Sequence, residues 1–283
     1  MRRTAAIALV LWPICAFGQT DESHSVRTLL ESAGTQMTRR DAAGALDSLR
    51  RALALAPNSE EVLSAFAQVS IAARLPLPAI GTLDALTRIC PTVAQYHYLL
   101  GVALMQIGDM STAVDSLKAA ERLDPDRPLT LLALGLTLNN RKSYDEARAY
   151  LLRSLELDPD SAEAVAALAE SEEGLGDLQN ADIHARRALA RSSGHATANL
   201  VLGLIAMKRQ QYADARDSFH RVVAADPEST KALYQLSLAY ARLGDDAASQ
   251  KYLDLYKQKL RETEDRVLQL RTQTGLAPSE SRR

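Results

Sequence analysis

A fixed interval of 34 residues recurs along this sequence. Prolines close Ala/Leu-rich segments at Pro57, Pro91, Pro125, Pro159 and Pro227, and Ser193 occupies the place in this series that lacks a proline. Proline cannot continue the interior of a helix, because it lacks the N–H donor and its ring clashes with the preceding turn. A helix boundary therefore recurs at a constant spacing, which predicts a chain assembled from copies of one small helical unit.

Seven units of this length fit the chain without an insertion. Their ranges are 26–59, 60–93, 94–127, 128–161, 162–195, 196–229 and 230–263. The eighth residue of every unit is small, as Ala33, Ala67, Gly101, Gly135, Ala169, Gly203 and Ser237. The twenty-fourth residue is large in every unit except the fifth, where it is Ala185. Small residues that receive large ones let two helices approach closely, so each unit is predicted to be a pair of packed helices.

Each unit also has a break in its middle. The pairs Gly108-Asp109, Gly176-Asp177 and Gly244-Asp245 stand 68 residues apart. Glycine accommodates the left-handed backbone that ends many helices, and an aspartate side chain can accept a hydrogen bond from the first N–H groups of the next helix. The second unit has Pro76 and Pro78 instead, and proline is tolerated in the first turn of a helix. Each unit is therefore predicted to be a helical hairpin, and the fold class all-α.

Two segments carry a family resemblance. They are LLGVALMQIGDMSTAVDSLKAAERLDPD, residues 99–126, and LGLTLNNRKSYDEARAYLLRSLELDPD, residues 134–160. Both resemble the tetratricopeptide repeat, a helix-turn-helix unit of 34 residues. The resemblance extends over residues 26–263 in register. It implies an α-solenoid of about seven repeats that forms a right-handed superhelix, with first helices on the concave face and second helices outside.

The resemblance also implies a function. Arrays of this kind have no catalytic apparatus of their own and bind partner proteins or peptides along the concave face. We therefore expect a scaffold for protein interactions. The alternative is a non-catalytic accessory or regulatory subunit of a cell-envelope enzyme or assembly complex.

Sequence motifs and charge narrow the function further. Residues 19–283 contain no phosphate-binding glycine loop, no nucleophile elbow and no HExxH zinc motif, and the five histidines lack metal-ligand spacing. We expect no catalytic residue, no cofactor and no metal site. Lys and Arg total 33 against 35 Asp and Glu, so no excess of positive charge indicates a nucleic-acid partner.

The ligand-binding residues are expected at the second, fifth, ninth and twelfth places of the units, which form one stripe of a helix. The predicted set is Tyr98, Val102, Met105, Leu129, Leu132, Leu136, Asn139, Glu163, Glu170, Glu173, Leu200, Leu204, Met207, Tyr234 and Leu238. Most of these residues are apolar, and the fifth unit adds three carboxylates, so the expected ligand is an apolar protein or peptide segment with a basic residue. The alternative is that the leucines pack against neighbouring helices and the glutamates form a solvated face.

The first stretch, MRRTAAIALVLWPICAFGQT, has the features of a bacterial-type secretory signal peptide. Two arginines precede an apolar run, and Ala16 and Gly18 suit cleavage before Gln19. Residues 1–18 are predicted to be removed, which leaves residues 19–25 as a short lead in a periplasmic or secreted protein. The apolar run is too short to span a bilayer comfortably, and the residues before its cysteine do not suit lipid attachment.

The final helix is predicted to continue beyond the last unit. Leu253, Tyr256, Leu260, Val267 and Leu270 fit a seven-residue spacing. The extension, residues 264–273, is expected to cap the array and leave a monomer. The alternative is a short coiled coil through which two copies form a dimer. Residues 274–283 are predicted to be a disordered tail.

Overall fold

The structure, a computed structural model, describes residues 15–274, and the side chains within residues 23–265. This part of the chain forms fourteen α-helices and no β-strand, which confirms the predicted all-α class of paired helices. The chain divides into two compact units, with the boundary between Pro125 and Asp126.

The first unit contains three helical hairpins. Its helices are α1 (Cys15–Thr38), α2 (Ala42–Leu55), α3 (Glu60–Ala72), α4 (Pro76–Ile89), α5 (Ala94–Gln106) and α6 (Met110–Leu123). The predicted signal peptide ends at the start of α1, and its residues 1–14 lie outside the described part.

The second unit contains four hairpins. Its helices are α7 (Pro128–Asn140), α8 (Tyr144–Leu157), α9 (Ala162–Leu175), α10 (Leu178–Arg191), α11 (Ala196–Lys208), α12 (Tyr212–Ala225), α13 (Thr230–Leu243) and α14 (Asp246–Thr274). With 29 residues, α14 is about twice as long as α12, which has 14. The predicted extension, residues 264–273, is part of this one helix, whereas residues 275–283 lie outside the described chain.

The small and large residues of the hairpins pack against each other as predicted. Gly101 on α5 lies so close to α6 that a Cβ atom there would stand 2.5 Å from Leu117 Cγ. Gly203 has the same relationship with the ring of Phe219 on α12. The twentieth residue of each of the first six units is an alanine, and all six are fully buried, namely Ala45, Ala79, Ala113, Ala147, Ala181 and Ala215. The close approach of the two helices therefore buries the apolar surface between them. Burial of apolar surface stabilises the folded state by roughly 25 cal/mol per Å².

The turn within each hairpin has one backbone conformation throughout the chain. The fifteenth residue of each 34-residue unit lies in this turn and has a positive φ. In three units this residue is a glycine with φ between 79° and 85°, namely Gly108, Gly176 and Gly244. The other four units place Arg40, Arg74, Lys142 and Gln210 there, with φ between 55° and 61°. Asp109 and Asp177 cap the helices that follow by accepting backbone N–H bonds at 3.2 Å. The predicted Gly-Asp break is thus confirmed, and repeats without glycine adopt the same turn at a conformational cost.

The first helices of the hairpins form the inner layer of each unit. In the second unit, α7, α9, α11 and α13 pack successively against one another, whereas α8, α10 and α12 do not contact each other within the described residues. In the first unit, α1, α3 and α5 pack in the same successive way. Neighbouring hairpins are therefore closer on the side of their first helices, which makes that side concave within each unit.

Candidate functional site

The first helices of the second unit carry a row of apolar side chains that the core does not fully cover. Leu129, near the start of α7, is 53% exposed, and Tyr234 on α13 is also exposed. The complete row, called the apolar stripe below, is Leu129, Leu132, Leu136, Leu204, Met207, Tyr234 and Leu238. Spacings of three and four residues keep these side chains on one side of each helix. A row of accessible apolar groups of this kind can receive the apolar groups of another molecule.

Two residues of the predicted set are buried in the layer instead. Asn139 donates a hydrogen bond from Nδ2 to the Ala167 carbonyl oxygen at 2.8 Å and accepts one from Ser171 Oγ at 2.7 Å. Leu200 belongs to the apolar cluster that includes Phe219. In this structure both side chains therefore hold neighbouring helices together.

The three carboxylates predicted for the middle of this face are each paired with a cationic or titratable group of the same chain. Lys231 Nζ on α13 lies 2.8 Å from Glu170 Oε1, and Lys208 Nζ lies 2.6 Å from Glu173 Oε1. His195 Nε2 lies 3.0 Å from Glu163 Oε2. The hydrogen bond with His195 lowers the pKa of Glu163 below its ordinary value of 4.5, while burial of the carboxylate acts in the opposite direction.

A fourth carboxylate of α9 was not part of the predicted set. Glu172 is buried, and its Oε2 atom lies 2.7 Å from His184 Nδ1 on α10. Side chains of α9 therefore connect this helix to α10, α11 and α13. Lys231 occupies the second place of the seventh unit, which belongs to the predicted stripe, but no local sequence signal indicates that it pairs with a residue 61 positions away.

Aromatic side chains border the stripe at its C-terminal end. The rings of Tyr234 and Tyr256 on α14 are 5.3 Å apart and tilted by 48°. His220 on α12, in the preceding hairpin, has its Nε2 atom 2.7 Å from the Tyr240 hydroxyl oxygen, and the rings of Tyr240 and Tyr252 stack. These contacts join α12, α13 and α14 and fix the position of Tyr234 at the edge of the face.

The remaining predicted residues lie in the first unit. Tyr98, Val102 and Met105 occupy one side of α5 and are half-buried. They form a separate part of the predicted set, on the inner layer of that unit.

Metal centres and membrane-spanning helices are both absent from the residues that the structure describes. No group of three or more His, Cys, Asp and Glu side chains there could hold a metal ion. No helix in the same part of the chain has the length and apolar character needed to cross a membrane.

Comparison with protein families gives two matches, both to models described as tetratricopeptide repeat. One model matches residues 79–128 and 200–261, and the other matches residues 104–171. Together the two models cover more than half of the chain. No curated protein matches the sequence.

Solved structures share the fold at low sequence identity. A tetratricopeptide repeat protein from Parabacteroides merdae has a TM-score of 0.72 and 13% identity, over 87% of this chain and 98% of its own. PilW, described as a widely conserved type IV pilus biogenesis factor, has a TM-score of 0.61 and 21% identity, over 73% of this chain and 96% of its own. The pilF protein of Pseudomonas aeruginosa has a TM-score of 0.59 and 18% identity, over 75% and 96% of the two chains. At these identities the likeness is one of fold.

Proposed function

The chain belongs to the tetratricopeptide repeat family, and we propose that it is a scaffold whose concave face in residues 126–283 binds a segment of a partner protein. Stacked repeats present extended concave surfaces to their ligands. The apolar stripe is the observation that carries the proposal, because Leu129 and Tyr234 are exposed and its other side chains are only partly buried. An accessible apolar row on helices suits an apolar extended or helical segment.

The apolar stripe contributes binding energy when a ligand covers it and removes it from water. A leucine that becomes fully buried gains about 1.5–3 kcal/mol relative to an exposed one, so a few well-covered anchors are sufficient for a specific complex. Leu132, Leu136 and Leu204 are the proposed anchors, with Tyr234 as a further anchor at the edge of the face. Asn139 supports them by joining α7 to α9, and Leu200 supports them by packing α11 against α12 and α13.

Carboxylates at the middle of the face add a charge preference to the proposal. Glu163, Glu170 and Glu173 all lie on α9, between the apolar residues of α7 and those of α11. An apolar segment with a Lys or Arg near these carboxylates, each of which already has a partner in the chain, is therefore the proposed ligand. In the first unit, Tyr98, Val102 and Met105 are proposed to bind in the same apolar manner on their own face.

The proposal also includes the cellular setting and the absence of catalysis. Export to the periplasm or beyond is supported by the arginine pair and apolar run of residues 1–18. A non-catalytic role is supported by the repeat family, whose function is binding. An accessory subunit of a cell-envelope enzyme or assembly complex is the alternative, and it would use the same face with a different partner.

Two exposed leucines provide a matched test. Leu129 on the first helix α7 is 53% exposed, and Leu152 on the second helix α8 is 46% exposed. A photo-crosslinking amino acid at each position in turn, in protein exposed to envelope extract, should capture a discrete partner from position 129 and not from position 152. Leu129→Lys should then weaken that partner's binding by about tenfold or more, whereas Leu152→Lys should not change it. Equal capture from both positions, or loss of binding with Leu152→Lys alone, would refute the concave face as the site.

A further inference from the structure

One ion pair of the second unit links helices that do not pack against each other. Glu170 is on α9 and Lys231 is on α13, two hairpins further along the chain. The helix between them, α11, packs against both α9 and α13, whereas α9 and α13 make no direct helix contact within the described residues. The Lys231 side chain therefore reaches over the inner side of α11 to meet Glu170.

The two lysine–glutamate pairs of this face differ in how firmly they are held. In the Glu170–Lys231 pair the side chains are 23% and 52% exposed. In the Glu173–Lys208 pair the glutamate is only 13% exposed, and Lys208 Nζ also donates to the Glu173 carbonyl oxygen at 3.2 Å. Partly exposed single-contact ion pairs contribute little to stability, because solvent screens them and a long side chain loses freedom in forming them. The Glu170–Lys231 pair is the easier of the two to open.

We propose that Lys231 is an intramolecular competitor for Glu170, and that ligand binding exchanges this lysine for a Lys or Arg of the bound segment. The inference rests on the proposed function of the concave face and adds how that face is regulated. The pair joins α9 to α13, the two helices on either side of α11, which carries Leu204 and Met207 of the stripe, so an apolar segment that covers the stripe meets it. A segment whose Lys or Arg binds Glu170 can displace Lys231, because the carboxylate keeps a cationic partner. A segment without a cation that displaces Lys231 covers the Glu170 carboxylate while it has no partner, which is unfavourable.

Competition of this kind predicts a specific effect of removing Lys231. The ligand's cation would then meet a vacant carboxylate, and its binding should strengthen. A segment with a glutamate at the same place should still bind weakly to the protein that lacks Lys231. Because the competing pair is partly exposed, the gain should be greatest at low salt and should shrink as ionic strength rises.

The probe is a positional-scanning library of 12-residue synthetic peptides, with each position held in turn as Leu, Lys, Arg or Glu. Binding is measured on the full mature chain and on four variants. Lys231→Met removes the competitor, and Glu170→Gln removes the charge for which it competes. Lys257→Met, at an exposed lysine on α14, makes the same change in net charge elsewhere. Leu129→Lys blocks the stripe.

The expected results separate the variants. Lys231→Met should bind the pools with a fixed Lys or Arg about threefold to fivefold more tightly at one position, because a weak competing pair has been removed. Pools with fixed Leu should be unchanged, and Lys257→Met should behave as the unaltered chain. Glu170→Gln should lose the Lys and Arg preference at that position while it retains the preference for Leu.

Failure of the inference can be told apart from failure of the proposed function. If Leu129→Lys leaves the binding of every pool unchanged, or no pool binds, the concave face is not the site and both proposals fall. If Leu129→Lys abolishes binding but Lys231→Met leaves the Lys and Arg pools unchanged or weaker, the face binds ligand and Lys231 is not a competitor. Unchanged thermal unfolding of Lys231→Met confirms that the comparison is made on an intact fold.

Discussion

Ser171 Oγ donates a hydrogen bond to Asn139 Oδ1 over 2.7 Å, and this bond joins the first helices of two neighbouring hairpins. Asn139 Nδ2 completes the link by donating to the Ala167 carbonyl oxygen at 2.8 Å. Both ends of one side-chain amide are thus bonded within a buried layer. Buried polar groups are costly to leave unpaired, so this link fixes how α7 and α9 pack against each other.

Replacement of this amide should destabilise the second unit. Asn139→Ala removes one of the two side-chain donors of the Ala167 carbonyl and an acceptor from Ser171, and we expect a loss of about 1–3 kcal/mol in the free energy of unfolding. The control is Asn140→Ala, since Asn140 is exposed and donates to the Leu136 carbonyl of its own helix. Urea unfolding followed by circular dichroism measures both. An Asn139→Ala protein as stable as wild type but unable to bind its partner would show that this residue acts in the ligand site instead.

The left-handed turn residues offer sites for stabilisation. Lys142 has a φ of 61° at the place where other repeats have glycine. Since a residue with a Cβ atom pays about 1–2 kcal/mol in this conformation, and glycine loses more freedom on folding, Lys142→Gly should raise the free energy of unfolding by about 0.5–1 kcal/mol.

The reverse change checks the cause. Gly108 has a φ of 81°, and an added Cβ would meet no atom within 4 Å, so Gly108→Ala introduces the backbone cost without a clash. It should lower stability by about 1 kcal/mol. Thermal melts in which both changes shift the midpoint the same way would contradict this explanation of the turn.

Histidine 220 should make stability depend on pH. Burial lowers the pKa of His220 below its ordinary value of 6.5, with Arg216 and Lys251 acting in the same direction and Asp217 against them. Protonation is therefore harder in the folded protein than in the unfolded chain. The stabilising contribution of the neutral ring is complete above pH 6.5 and is lost as the pH falls through the folded pKa.

The variant His220→Phe keeps an aromatic ring beside Tyr240 and Tyr252 and removes the titration. Urea unfolding at a series of pH values from about 7.5 to 5 should show a smaller loss of stability for the variant than for wild type. The other histidines are present in both proteins, so the difference between the two curves reports His220. Parallel curves would show that His220 does not contribute to acid sensitivity.

Export can be checked on the protein recovered from cells. We expect a chain that begins at Gln19 and carries no lipid, because Ala16 and Gly18 suit the signal peptidase whereas the residues before Cys15 do not suit lipid modification. Intact mass spectrometry of the envelope fraction gives the answer. A retained Met1, or a lipid mass on Cys15, would contradict this expectation.

The last helix should act as a cap rather than as a dimer interface. We expect the mature protein to sediment as a monomer at about micromolar concentration, because terminal repeats need a solvating outer surface. Leu260, which is exposed on α14, is the position to change. If the protein sediments as a dimer and Leu260→Lys converts it to a monomer, the helix forms the alternative coiled-coil seam.

Local pattern was sufficient to predict the hairpins. Each depends on residues within one span of 34, in which small residues such as Gly101 face large ones such as Leu117, and Gly-Asp pairs mark the turn. These signals recur in register, so each copy supports the interpretation of the others. Helix ends and helix pairing are decided by interactions between near neighbours in sequence, which is why the sequence reveals them.

Which residues of the concave face are buried or ion-paired depends on contacts between hairpins, and the sequence alone did not predict it. Leu129 and Leu200 occupy equivalent inner-face stripes, yet the first is exposed and the second is buried against the cluster around Phe219. Nothing near Glu170 in the sequence predicts a cationic partner, but the Lys231 side chain, 61 residues away, binds it. The periodicity of a helix specifies which side a residue faces, because that side follows from the backbone geometry of one turn. Only the packing of successive hairpins decides which side chains that residue contacts, because burial and ion pairing depend on distances between helices that are remote in sequence.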